Sequence, residues 1–501
     1  MVIQSRSTAC LSADSGVLPM EVAKKALKGT FFVAANSYVS LFIAFVTGVA
    51  LARLLDPADF GIYRIALFFA DLAGRIKEFG LDKALVHKQD DLRDGFRTHF
   101  TLQAVLAFLG LVISILISPI IIKYYPPVVV TFVIMISLFY LFQSLSSTQR
   151  IFLEKSLQFK YTALVDILSL VLSSVISVVM AYKGFGALSL VMGYGLNFLF
   201  SFVLLWLLRP WKISLSEAFL FNKNQISWFI KFGSFLFLGG LTTFVLYKYN
   251  DFVLGTFLSA TALGFYTRAF NYAQLPTSLI TSVVSKVALP TYSLVQGNPA
   301  KLSSAFSLVL GSIVRISFPF SLLLFLTADE FTLFLLGPKW LPMVPILRIL
   351  LVYGVLRSIF DDLGEFFTAI GKPRIVSFYL MIQALISLVL SPLLTHLYGS
   401  AGAALSLTIV LALGVFIAYF LMRRLIGLSI VKSFLPTLLV CFLTLQGFNL
   451  TLAYWDSGLF NTLSVLVWKS LVFSFYYLIF MLVIDGRAFL RDLRFMLGHL
   501  R

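Results

Sequence analysis

Long apolar runs, each about the length of a bilayer crossing, follow one another along this chain with short polar joints between them. A helix needs about 20 predominantly apolar residues to cross the hydrocarbon core. On that measure the pattern predicts fourteen helices, at 28–52, 60–80, 99–122, 127–148, 161–182, 186–208, 229–249, 261–288, 303–327, 342–370, 375–397, 400–422, 434–454 and 460–484. Prolines 57, 276, 290 and 319 sit where a helix should end or bend, because proline cannot donate a backbone hydrogen bond. The joint between the sixth and seventh helices is polar.

The pattern repeats. Ala52–Tyr63 reads ARLLDPADFGIY, and Leu258–Tyr266 reads LSATALGFY. Leu55, Gly61 and Tyr63 meet Leu258, Gly264 and Tyr266 at a constant offset of 203 residues. Further along, SLVLS at Ser169–Ser173 recurs at Ser387–Ser391, and ALSL at Ala187–Leu190 recurs at Ala404–Leu407. The order is kept, so helices 1–6 map onto helices 7–12. Six is an even number, so both copies enter the membrane the same way round and form a parallel repeat. The expected architecture is an all-α integral membrane protein with two six-helix lobes and two extra C-terminal helices. Its parts are an N-terminal segment (1–27), an N-lobe (28–208), an inter-lobe joint (209–228), a C-lobe (229–425), and helices 13 and 14 with a basic tail (426–501).

Composition sharpens this. The 501 residues are 59% apolar and only 12% charged, half the charge of a soluble domain. The net charge of +17 does not imply nucleic acid. Its Lys and Arg fall in alternate joints, as cytoplasmic loops require. Both termini are then cytoplasmic, in a multi-pass protein of the cytoplasmic membrane. The two cysteines, Cys10 and Cys441, lie far apart and suggest no disulfide framework. The early residues lack the apolar core of a cleavable signal peptide. The four histidines have no metal-ligand spacing. No phosphate-cradling glycine loop and no paired nucleophile and base stand out. The pattern therefore predicts no enzyme and no bound cofactor.

The informative residues are charges inside the apolar runs, because such a charge costs several kcal/mol in lipid and normally faces protein or water. Helix 2 carries Arg64, Asp71, Arg75 and Glu78, on a stripe about 60° wide at helical spacing. Helix 8 carries Arg268 and Lys286 on one face. Helix 10 carries Arg357, Asp361 and Glu365 on one face, with Asp362 beside it. The expectation is a water-filled cavity between the halves, lined by helices 2 and 8 and touched by helix 10. The cations Arg64, Arg75, Arg268, Lys286 and Arg357 suit an anionic ligand, since guanidinium groups take phosphate oxygens two at a time. The acids Asp71, Glu78, Asp361, Asp362 and Glu365 either pair with these cations, Arg64 with Asp71 and Arg357 with Asp361, or bind a coupling Na+ or H+. Asp166 and Arg315 read as members of internal pairs.

Three blocks carry a family resemblance. The corner ARLLDPADFGIY is followed by EFGLDKALV at Glu78–Val86. GFYTRAFNYAQLPTSLITSVVSKVALPTY stands at Gly264–Tyr292, and LGPKWLPMVPILRIL at Leu336–Leu350. In order and spacing these resemble the Wzx-type oligosaccharide flippases of the polysaccharide-transport branch of the MOP/MATE-like superfamily, over about residues 24–425. The resemblance implies alternating access by a two-lobed bundle. Its implied substrate is a polyprenyl-diphosphate-linked oligosaccharide destined for cell-surface polysaccharide, with the diphosphate meeting Arg64, Arg75, Arg268 and Arg357. The implied partners are the lipid bilayer and the polysaccharide polymerase and export machinery. One chain supplies both lobes, so a monomer is expected. The rivals are a MATE-like multidrug or cation antiporter, whose cavity should be anionic, and a membrane glycan polymerase or ligase, which needs longer outer loops than this chain has.

Overall fold

The computed structural model describes residues 20–208, 211, 223–427, 431–453 and 461–498. All regular structure among these is helical. The first half comprises α1 (Met20–Leu54), α2 (Pro57–Gly74), the short α3 (Leu81–His87), α4 (Leu92–Tyr124), α5 (Pro127–Lys155), α6 (Phe159–Tyr182) and α7 (Ala187–Leu208). The second half has α8 (Lys223–Phe257), α9 (Ala260–Ala273), α10 (Leu275–Val295), α11 (Pro299–Leu326), α12 (Ala328–Leu335), α13 (Val344–Ala369) and α14 (Pro373–Ile426). Two more, α15 (Val431–Ala453) and α16 (Thr462–Gly498), follow. Most of the inter-lobe joint, 209–222 apart from Trp211, lies outside the described residues.

Eleven helices among the described residues are long and apolar enough to cross a membrane. Fourteen is not reached by that measure, for local reasons. The predicted helices 11 and 12 run on as α14, 54 residues long, but Gly399 breaks it with φ 60° and ψ −142°. A Cβ on Gly402 would stand 1.8 Å from the Leu394 carbonyl oxygen. The two arms therefore fold back on each other with their backbones touching there. Helix 2, expected over 60–80, stops at Gly74, and Arg75–Glu78 is a 3-10 turn. Gly80 follows in the left-handed region at φ 73°, which glycine adopts without the usual Cβ clash. Helix 8, expected as one element over 261–288, divides at Gln274, with Pro276 in the first turn of α10. Proline fits that first turn because the N–H it lacks has no partner there.

The start of α2 is set by its sequence. Pro57 takes the first helical position, and the Asp56 N–H donates to the Asp59 carboxylate at 3.1 Å. The same carboxylate accepts the Ala187 N–H at 3.0 Å. One aspartate thus ties the beginning of α2 to the beginning of α7. Small buried residues let helices approach, and α2 packs against α5 and α7 on its own side and α9 on the other. A continuous apolar core runs through both halves, from Leu51 and Phe60 to Tyr353 and Phe366.

The last two helices pack on each other and reach the bundle together, α15 against α11 and α16 against α11 and α12. Arg315 of α11 meets Asp485 at 2.6 Å, and Lys469 meets Glu330 of α12 at 2.5 Å. Arg315 is therefore internally paired, as expected. So is Asp166, which takes both Arg150 guanidinium nitrogens at 2.8 and 2.7 Å and the Asn36 amide at 2.9 Å.

Candidate functional site

The repeated corner packs on its own copy. A Cβ on Gly61 would stand 1.8 Å from the Ala260 carbonyl oxygen, and one on Gly264 would stand 1.9 Å from that of Pro57. Adding 203 to 57 and 61 gives 260 and 264, so the two contacts are the same contact exchanged between halves. Nothing larger than glycine fits at either crossing. Side chains brace the corner. The Trp340 indole N–H donates to Ala52 O at 2.8 Å, Lys339 to Leu55 O at 2.6 Å and Arg53 Nε to Leu335 O at 2.8 Å. Trp340 is fully buried. This end of the inter-half space is closed.

One helical stretch in from the corner, charges alternate across the contact between α2 and α8. Arg64 pairs with Asp251 at 2.7 Å, and Lys248 pairs with Asp71 at 3.2 Å. The Tyr140 hydroxyl also donates to Asp71. The expected pair of Arg64 with Asp71 does not form, because α8 brings a closer partner to each. Lys248 and Asp251 escaped the sequence reading, which placed them at or beyond the end of helix 7. The signal was present as KYND at 248–251, a cation and an acid three residues apart inside an apolar run. Burial of such charges without partners is costly, so each pair needs the other half in place.

Arg268 differs. It is buried, its guanidinium carbon lies 3.9 Å from the Phe60 ring centre, and its Nε has no hydrogen-bond partner among the described residues. A Cβ on Gly48 of α1 would come within 3.3 Å of its Nη1. Gly48 is the residue that the repeat offset matches to Asp251. The offset matches Arg64 to Thr267, so Arg268 stands one residue along from the repeat position; it faces a glycine, and its charge rests on an aromatic ring.

Arg357 is neutralised on its own helix. It pairs with Asp361 at 2.9 Å and donates to the Tyr247 hydroxyl. The pairing alternative expected for these two is what forms. Asp362 points elsewhere, into the contact of α13 with α10, where it accepts from the Tyr292 hydroxyl at 2.8 Å. The three carboxylates 361, 362 and 365 are therefore not one cluster. Neighbours on a helix point about 100° apart, and Asp362 is buried while Asp361 and Glu365 are only partly so. The side chains of Glu78 and Lys286 lie outside the described residues.

A cavity of about 780 Å³ occupies the inter-half space on the other side of these pairs. Arg75, Lys77 and Lys83 line it from the first half, and Gly239, Gly240, Thr242 and Thr243 of α8 with Ser377 and Met381 of α14 from the second. Of the five cations expected to line it, Arg75 alone does so among the described residues. Neither α9 nor α13 lines it, because α8 and α14 stand in front. Lys77 and Lys83 join Arg75 in their place. The Arg75 guanidinium carbon is 4.8 Å from the Phe244 ring centre, so its charge is held at the cavity wall by an aromatic face. Asp82, Lys83, Gln143 and Ser147 also bound a second cavity of about 640 Å³ inside the first half. The Asp82 carboxylate on this shared wall accepts from Gln103 and Ser147 at 2.7 Å each and from His99 at 3.0 Å. Those donors outweigh burial and hold its carboxyl below the usual carboxylate range.

Comparison with known proteins agrees with this architecture. Residues 50–345 match the polysaccharide biosynthesis protein family, and the chain belongs to it. It is 22% identical over 411 residues to the lipopolysaccharide biosynthesis protein WzxC of Escherichia coli K12, covering 81% of this chain and 82% of that one. It is 23% identical over 361 residues to the teichuronic acid biosynthesis protein TuaB of Bacillus subtilis, covering 72% and 74%. The succinoglycan biosynthesis transport protein ExoT of Rhizobium meliloti is 23% identical over 344 residues, covering 68% and 69%. Among solved structures, an inward closed lipid II flippase MurJ superposes with a TM-score of 0.74 at 17% identity, covering 91% of this chain and 99% of that one. An inward-facing MATE transporter of the MOP superfamily superposes at 0.58 and 15% identity, covering 78% and 98%. The chain has the MOP fold that the three sequence blocks anticipated, and it stands among membrane transport proteins, not enzymes.

Proposed function

We propose that this member of the polysaccharide biosynthesis protein family is a flippase. It moves a polyprenyl-diphosphate-linked oligosaccharide across the cytoplasmic membrane for assembly of a surface polysaccharide. The observation that carries this reading is the inter-half cavity, lined by Arg75, Lys77 and Lys83 and closed at one end by the exchanged glycine corner. Cationic side chains at the wall of a membrane cavity favour an anionic head group. A drug antiporter for cations would want the opposite sign. The family match and the names of the relatives point to glycan export, and the fold is one in which two similar halves rock about a shared corner.

The basic joints support a cytoplasmic position for the 75–83 end. The diphosphate then enters beside Arg75 and Lys83 while the polyprenyl chain stays in lipid. Arg268, a buried cation facing a ring and a glycine, offers the next anchor toward the corner. The corner opens when the halves rock, and Arg64–Asp251 and Lys248–Asp71 must part or slide with it. A single chain completes this cycle, and the polymerase that consumes the product works on the far side.

The test is complementation in cells lacking the chromosomal gene. Wild type, Arg75→Glu, Arg268→Glu and the exposed control Lys301→Glu are expressed at matched membrane levels. Surface polysaccharide and the lipid-linked intermediate facing the cytoplasm are both measured. The expected result is loss of surface glycan with accumulation of the intermediate for the first two variants, and normal export for the control. Normal export by both Arg75→Glu and Arg268→Glu would remove the anionic-substrate reading.

A further inference from the structure

The two cavities share a wall but differ in character, and the difference bears on the substrate. The inter-half chamber presents Arg75, Lys77 and Lys83 against Asp82 alone. The chamber inside the first half presents three carboxylates, Asp82, Glu154 and Asp166, against Lys83 and Arg150. Arg150 is spent there. It gives two hydrogen bonds to Asp166 and a third, at 3.2 Å, to Glu154. An incoming anion would have to displace two carboxylates to reach it. The remaining lining is neutral and rich in hydrogen-bonding groups. Asn197 and Ser201 of α7, one turn apart, both face the chamber, and neither has a hydrogen-bond partner among the described residues.

We propose that this second chamber holds the sugars next to the diphosphate, and that it takes uncharged sugars in preference to uronic acids. The inference rests on the flippase reading above and specifies its substrate. A diphosphate set beside Arg75 and Lys83 puts the first sugar against the shared wall at Gln143 and Ser147. Sugar hydroxyls, like amides, both donate and accept, so Asn197 and Ser201 complete a set of partners that a neutral ring can satisfy. A sugar carboxylate in the same place meets surplus negative charge and finds no unengaged guanidinium. The division of labour is cations for the diphosphate and amides and hydroxyls for the glycan.

The experiment measures binding to the purified full chain in nanodiscs with three probes. They are undecaprenyl diphosphate, undecaprenyl diphosphoglucose and undecaprenyl diphosphoglucuronate. In wild type, the glucose-bearing lipid should bind about tenfold tighter than the bare diphosphate, the scale of one or two hydrogen bonds. The glucuronate-bearing lipid should show no such gain. In the double variant Asn197→Ala/Ser201→Ala the ratio of glucose-bearing to bare affinity should fall toward one. Because a double truncation can misfold, Asn197→Lys provides an independent arm, in which the preference should turn toward glucuronate. Equal or tighter binding of glucuronate by wild type overturns the proposal. So does an unchanged ratio in the double variant, or an unchanged preference in Asn197→Lys. If wild type binds none of the three lipids, the flippase reading itself falls. If it binds all three equally, that reading stands and only the glycan chamber is lost.

Discussion

At the scale of single residues, the corner glycines decide how close the halves come. Gly61 and Gly264 face carbonyls of the opposite half, Ala260 O and Pro57 O, that an added methyl group would overlap at 1.8 and 1.9 Å. Overpacking a buried contact usually costs about 1–3 kcal/mol, and here the obstacle is backbone, which cannot turn aside. Gly61→Ala and Gly264→Ala should each lower the melting temperature of the detergent-purified protein by several degrees. Gly240→Ala, where nothing lies within 4 Å of the new methyl, should not. Melting curves that superpose for all three would show that the corner does not set stability. The sequence revealed these glycines as repeat partners, since the offset is constant. It did not reveal that they touch, because self-similarity locates copies and says nothing of how they dock.

At the scale of elements, the pattern of apolar runs was enough to place nearly every helix, and charge inside the runs was enough to flag α2, α9 and α13. What the pattern missed were breaks and neighbours. Gly74 and Gly80 end α2 early, so the stripe expected on one helix is shared between α2 and a 3-10 turn. Partners were missed for a related reason. Pairing within a helix is legible from spacing, as Arg357 with Asp361 shows, whereas Arg64 takes its acid from α8. That contact makes a prediction. Asp251 is 2% exposed, so Asp251→Asn leaves the largely buried Arg64 guanidinium without its counter-charge. Breaking a buried pair on one side typically costs about 3–5 kcal/mol, while removing both charges is often close to neutral. Asp251→Asn should therefore sharply reduce the folded fraction seen by size-exclusion chromatography, and Arg64→Gln/Asp251→Asn should recover much of it. A double variant no better than the single one would mean that the pair does not act as a unit.

At the scale of the whole molecule, the arrangement is asymmetric about its own pseudo-symmetry. One end is shut by two copies of the same glycine crossing, and the cationic cavity lies on the other side of the charge pairs. The cavity end has a contact of a different kind, with Phe79 stacked on Phe237 at 5.0 Å and a Cβ on Gly233 meeting Phe79 O at 2.0 Å. Symmetric halves joined by unlike contacts at their two ends are what a rocking transporter needs, since each end must close while the other parts. If so, pinning the corner must stop transport without unfolding anything. Asp56 and Lys339 face each other there at 3.6 Å, on opposite halves and both in reach of water. In a background lacking Cys10 and Cys441, Asp56→Cys/Lys339→Cys bridged by a short bismaleimide should lose export of surface polysaccharide, while each single variant treated alike should retain it. Export that continues after complete cross-linking would mean that the corner stays closed throughout the cycle, and the path out of the cavity would then have to run beside the corner and not through it.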